Sequence, residues 1–136
     1  MARSVFVDTS GWYALIDRGD AAHDAVAALV AELVRDGARL VTTDYVIDES
    51  CTLTKVRAGA VAAGRLLDLI GGTAALELEW VGLDRFDRAR SLFRRHHDQA
   101  FSFTDCASFA VMRERRLTHA ITTDQHFRIA GFQVIP

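Results

Sequence analysis

Proline is almost missing: the chain of 136 residues has one, at its last position. Glycine adds nine more, so long linkers and low-complexity disorder are not expected. Cysteine is scarce. Cys51 and Cys106 are too few for a disulfide scaffold and lack the spacing of a zinc site, so both read as reduced, buried thiols. No apolar run approaches the ~20 residues of a membrane span. The first residues, 1–8, have one basic residue and a short strand-like stretch rather than the apolar core of a signal peptide. A cytoplasmic protein with no membrane partner is the expectation. Lysine is also nearly absent, with Lys55 against fifteen arginines. The net charge of −2 and pI near 6.2 exclude a uniformly basic nucleic-acid coat, for which a pI above ~9 is usual.

What remains is half apolar and one-quarter charged, the balance of one globular domain over 1–136. Short β-branched runs alternate with longer helical ones. Strands are expected at Ser4–Val7, Arg39–Thr42, Leu76–Val81, His119–Thr122 and Phe132–Ile135. Helices are expected near 11–17, over 21–36 with Asp20 as N-cap, and over 45–57 and 61–70. Three more are expected over 84–97, 104–116 and 124–129. Glu77 and Glu79 alternate with apolar neighbours, as on an edge strand with one wet face. The alternation argues for an α/β fold with a mostly parallel sheet, whose ligands bind at the carboxyl ends of the strands.

Four acids fall at the ends of apolar runs. Asp8 and Asp124 follow strands, Asp105 opens a helix, and Glu49 lies early in the helix after the second strand. Singly, each has a local explanation: Asp8 an Asx turn, Asp105 or Thr104 a helix cap, Asp124 a cap, Glu49 an exposed helix acid. Jointly, a parallel sheet brings them to one edge, where carboxylates repel unless a proton or cation lies between them. With Lys55 the only lysine, a hard divalent ion is the natural counter-charge, and Mg²⁺ or Mn²⁺ suits carboxylate and water ligands. Such an ion beside a phosphodiester supports hydrolysis.

Four segments carry a resemblance across nearly the whole chain: Val-Asp-Thr-Ser-Gly-Trp at 7–12, Thr-Thr-Asp-Tyr-Val-Ile-Asp-Glu at 42–49, Ser-Phe-Thr-Asp-Cys at 102–106 and Thr-Thr-Asp-Gln-His-Phe at 122–127. In order and content the chain resembles the PIN-domain family, and within it the VapC-type ribonuclease toxins of type II toxin–antitoxin (VapBC) pairs. The resemblance implies a three-layer α/β/α domain and a Mg²⁺- or Mn²⁺-dependent endoribonuclease acting on structured cellular RNA, transfer or ribosomal. It implies a VapB-type antitoxin partner and a homodimer. It also implies that Asp8, Glu49, Asp105 and Asp124 form the acidic quartet. Asp8 and Asp105 would be the main ligands, Glu49 would hold water at the ion, and Asp124 would complete the rim or a second ion position. Thr9, Ser10 and Thr104 would supply supporting hydroxyls. Other family members cut DNA or process RNA, so the fold alone leaves the substrate open.

The arginines from Arg85 to Arg95, followed by His96 and His97, read either as an RNA-contacting rim or as a solvated helix face. Trp12 reads equally as core or as a wall for bases, and His126, two residues after Asp124, as a local structural or exposed residue rather than one that approaches substrate. A receiver domain would need an acidic pair after strand one and a late lysine, and a haloacid-dehalogenase-like phosphatase needs Asp-x-Asp. This sequence has neither. A non-catalytic PIN-like module binding RNA or protein is the alternative, and loss of one of the four acids would mark it.

Overall fold

The computed structural model describes residues 3–136. Its centre is a wholly parallel sheet of β1 (Ser4–Val7), β2 (Arg39–Thr43), β3 (Leu76–Glu79), β4 (His119–Ile121) and β5 (Gln133–Ile135), in the order β3-β2-β1-β4-β5. Around it lie α1 (Thr9–Ile16), α2 (His23–Arg35), α3 (Asp44–Ala58), α4 (Ala60–Gly72), α5 (Gly82–Arg95), α6 (Phe103–Glu114) and α7 (Gln125–Ile129).

Topology assigns the layers. From β1 the chain steps through β2 to β3 in one direction, then returns past β1 to β4 and β5 in the other. Right-handed crossovers therefore put α1–α4 on one face and α5–α7 on the opposite face. This is the α/β/α sandwich expected from the resemblance. The direction of winding reverses between β1 and β4, which opens a crevice at their carboxyl ends.

The core explains why these segments hold their places. Val5, Phe6 and Val7 are fully buried, as are Leu40 and Val41 of β2 and Ala120 and Ile121 of β4. Central parallel strands are covered on both faces, so they are apolar throughout rather than alternating. Helix α6 is buried without a break from Asp105 to Met112. Its Phe109 packs edge-on against Phe127 of α7 at 5.0 Å and against Phe101 at 5.1 Å. Gly11 sets the position of α1: a Cβ there would lie 2.6 Å from the Ile121 carbonyl oxygen, so only glycine allows this approach to β4.

Some expectations need correction. Helix α2 starts at His23, and Asp20 accepts the Ala22 N–H at 2.8 Å, stabilising the turn before the helix instead of capping it. Helix α1 starts at Thr9, directly after Asp8. Strand β3 stops at Glu79. Its wet face is not left to solvent: Arg115 reaches Glu77 at 2.7 Å and Glu79 at 2.9 Å, and Arg39 holds Glu77 at 3.0 Å. Trp12 is core, 1% exposed, with Nε1 donating to Thr42 Oγ1 at 3.3 Å. Cys106 is buried as expected, whereas Cys51 is only half-buried. Burial pushes the Cys106 thiol up to about 11 and raises that of Cys51 too, so both stay protonated and inert at neutral pH. Among the described residues, no helix is long and apolar enough to cross a membrane.

Candidate active site

Asp8 leaves β1 as the residue before α1. Its N–H donates to the Ile121 carbonyl at 3.1 Å, extending the β1–β4 ladder by one rung into the crevice. The side chain is 4% exposed. Its Oδ2 accepts the Thr122 hydroxyl at 3.0 Å. Burial, above all, pushes the Asp8 carboxyl up to about 7, and the negative charges of Asp105 and Glu49 add to the rise. Bonds from the Thr9 backbone and the Thr122 hydroxyl oppose it.

Asp105 sits in the first turn of α6. Neither it nor Thr104 is the N-cap: Ser102 is. The Ser102 Oγ accepts the Asp105 N–H, and Asp105 Oδ2 accepts the Ser102 N–H, each at 3.0 Å. This reciprocal box fixes an acid that is only 6% exposed. Asp124 caps α7, with Oδ1 accepting the His126 N–H at 2.9 Å. Glu49 projects from α3 as an exposed side chain, and its charge reaches Asp8.

The quartet is therefore gathered, but not evenly. Ligand atoms of Asp105, Asp124 and His126 lie within 4.8 Å of one another, a group that does not include Asp8 or Glu49. His126 Nδ1 is 2.8 Å from Asp105 Oδ2 and 3.2 Å from Asp124 Oδ2. The reading of His126 as merely local misses this bridge.

Thr122 is the other residue that sequence reasoning passed over. Its single hydroxyl hydrogen goes to Asp8, so its oxygen accepts the Asp124 N–H at 3.0 Å and the Ser10 hydroxyl at 2.9 Å. Ser10 Oγ in turn accepts the Thr123 N–H at 2.9 Å. Ser10 thus braces the loop after β4. Thr9 has a buried hydroxyl with no protein partner. Among the described residues no hydrogen bond forms to the Thr104 hydroxyl, while the Thr104 carbonyl accepts the Ser108 hydroxyl at 3.0 Å. The signal for Ser102 was in the sequence, as Ser-x-x-Asp at 102–105 ahead of an apolar helix.

The donor set fits a hard divalent cation. Among the described residues no lysine or arginine pairs with any of the four acids. A hard cation would favour the ionised form of the Asp8 carboxyl, which burial above all pushes up to about 7. The arginines of α5 are partly spent elsewhere: Arg85 and Arg88 both bind Glu114 of α6, and Arg90 pairs with Asp87.

A parallel sheet with acids at its switch point defines a class. The PIN domain model matches residues 5–133, and the chain belongs to that family. Within the family it is similar to VapC toxins. It is 35% identical over 133 residues to the 23S rRNA-specific endonuclease VapC20 of Mycobacterium tuberculosis, covering 94% of this chain and 95% of that one. The crystal structure of M. tuberculosis VapC20, a toxin that cleaves the sarcin–ricin loop, matches with a TM-score of 0.88 at 34% identity. That match covers 97% of this chain and 99% of the other. FitAcB from Neisseria gonorrhoeae shares the fold, with a TM-score of 0.64 at 13% identity over 97% of this chain and 96% of the other.

Proposed function

We propose that this chain is a divalent-metal-dependent endoribonuclease, the toxin of a toxin–antitoxin pair, which hydrolyses phosphodiester bonds in structured RNA. Ribosomal RNA is the preferred target over transfer RNA, and the sarcin–ricin loop cut by the VapC20 relative is the first substrate to try. The observation that carries the reading is the gathering of Asp8, Glu49, Asp105 and Asp124 at the switch point, with Asp8 buried and raised to about 7. Mg²⁺ or Mn²⁺, when bound, supplies the positive charge that stabilises the phosphate in the transition state and makes water a better nucleophile.

The residues divide the work. Asp8 and Asp105, nearly buried and hydrogen-bonded in place, would hold the ion. Asp124 closes the rim beside Asp105. Glu49, exposed, would accept a proton from the attacking water. Thr9 offers the buried hydroxyl that has no protein partner. Ser10 supports through Thr122. Thr104 lies beside Asp105 with a hydroxyl free to meet substrate.

A VapB-type antitoxin and a second copy of the chain are the expected protein partners, in the cytoplasm. Exposed apolar side chains supply faces for them: Val56, Val61 and Leu67 on α3–α4, and Phe86 and Phe93 on α5. The presence of all four acids disfavours the non-catalytic binding module.

The test is cleavage of ribosomes or a 23S rRNA fragment by the purified chain, with Mg²⁺ or Mn²⁺, with EDTA, and with Asp105→Asn. Discrete fragments that need metal and vanish in the variant are expected. Cleavage that survives chelation or the substitution would overturn the proposal.

A further inference from the structure

The bridge made by His126 has a use that goes beyond the quartet. Asp105 Oδ2 receives two donors, the Ser102 N–H at 3.0 Å and His126 Nδ1 at 2.8 Å. A carboxylate oxygen only accepts, so Nδ1 carries the hydrogen. It does so in the neutral tautomer and in the cation alike, so the arrangement does not depend on the ring's charge. With Oδ2 occupied, Asp105 has Oδ1 left for a cation.

The imidazole is itself held. The His126 backbone N–H donates to Asp124 Oδ1 at 2.9 Å. Phe101, 8% exposed, meets the ring edge-on with centroids 5.6 Å apart, and Phe101 is seated on Phe109 of the core. One side chain therefore touches two carboxylates from separate elements, α6 and the start of α7, and its own orientation is fixed by packing. Two carboxylates so close repel, and these contacts oppose that repulsion.

We propose that His126 is the positioning residue of the metal centre: through Nδ1–H it fixes the rotamer of Asp105, beside which Asp124 is held by the His126 backbone N–H, without itself ligating the ion. This rests on the metal-nuclease reading. Outer hydrogen bonds of this kind change metal affinity or activity by about 10–100-fold when removed.

The experiment measures Mn²⁺ binding without RNA, by calorimetry and electron paramagnetic resonance, for the wild type, His126→Ala, His126→Asn and His126→Gln. Asparagine puts an amide N–H near the place of Nδ1, and glutamine puts one near Nε2. Alanine is expected to weaken Mn²⁺ binding about 10–100-fold and to lower kcat with little change in KM for RNA. Asparagine restores both and glutamine does not. The wild-type Mn²⁺ spectrum is expected to show no ¹⁴N coupling. Because the His126 side chain is 28% exposed, the alanine variant still folds, which its melting curve verifies.

Wild-type affinity in His126→Ala sinks the proposal, as does failure of asparagine to rescue. A ¹⁴N coupling would make His126 a direct ligand instead and overturn the positioning role. A wild type that neither binds Mn²⁺ nor cuts RNA would remove the metal-nuclease reading and this role with it. A wild type that does both, beside an unaffected His126→Ala, removes this role alone.

Discussion

The hydroxyl of Thr122 donates to Asp8 Oδ2 at 3.0 Å across 114 residues of sequence, and the same oxygen accepts the backbone N–H of Asp124. One side chain thus couples the acid after β1 to the acid after β4. Thr122→Val keeps the shape and removes the coupling. Asp8 then loses a donor that opposes its raised pKa, and ionises at higher pH still. The expected result is Mn²⁺ affinity reduced about 10–100-fold at neutral pH, with partial recovery at pH 8.5 and full recovery in Thr122→Ser. Calorimetry at two pH values measures it. Equal affinity for valine and threonine would show that the bond is idle.

Asp8 gives a pH dependence with a definite sign. Its carboxyl titrates near 3.8 when unfolded and near 7 in the fold. The stability linked to it is fully present below 3.8 and is lost as pH rises through 7. The metal-free protein is therefore weakened by up to a few kcal/mol at pH 8 relative to pH 4 on account of this group. Asp8→Asn should melt higher than the wild type at pH 8 without metal, by several degrees, yet lose metal-dependent cleavage. In the wild type, metal binding should release a proton below pH 7 and none well above it. A metal-free variant that melts lower at pH 8 contradicts the assignment.

Gly11→Ala tests the approach of α1 to β4. The added Cβ has 2.6 Å to the Ile121 carbonyl oxygen, a backbone atom that cannot step aside alone. Destabilisation of about 1–3 kcal/mol is expected in denaturant unfolding. Activity should fall further than stability explains, because the shift parts Asp8 from the loop bearing Thr122 and Asp124. A neutral substitution would mean that α1 moves freely.

Glu114 clasps α5 to α6 by accepting from Arg85 and Arg88. The groups are partly exposed, so Glu114→Gln should cost about 1 kcal/mol or less in denaturant unfolding, more at low salt than at high. Cleavage at 25 °C should be unchanged, since none of the three touches the acids. A large loss of activity at intact stability would give these arginines a role in binding RNA.

Much of this architecture was legible because local rules carry it. Ser4–Val7 and Arg39–Thr42 are β-branched and apolar, and Asp8 and Asp124 stand where such runs stop. Ser102 and Asp105 have the spacing of a capping box, which reading Thr104 or Asp105 singly as the cap overlooks. What escaped notice depends on partners distant in sequence. His126 meets Asp105 21 residues away, Arg88 meets Glu114 26 away, and Trp12 turns inward to Thr42 30 away. No periodicity encodes such meetings, since they arise only when separate elements dock.

The order of strands also governs when the crevice is complete. Asp8, Glu49 and Asp105 are synthesised before β4, but the crevice that unites them forms only when β4 lays itself beside β1. A chain short of residue 119 carries Asp8, Glu49 and Asp105 without the strand pairing that forms the crevice. Long-range pairing of this kind is also slow to form. Completion of the crevice thus waits on the pairing of β4 with β1.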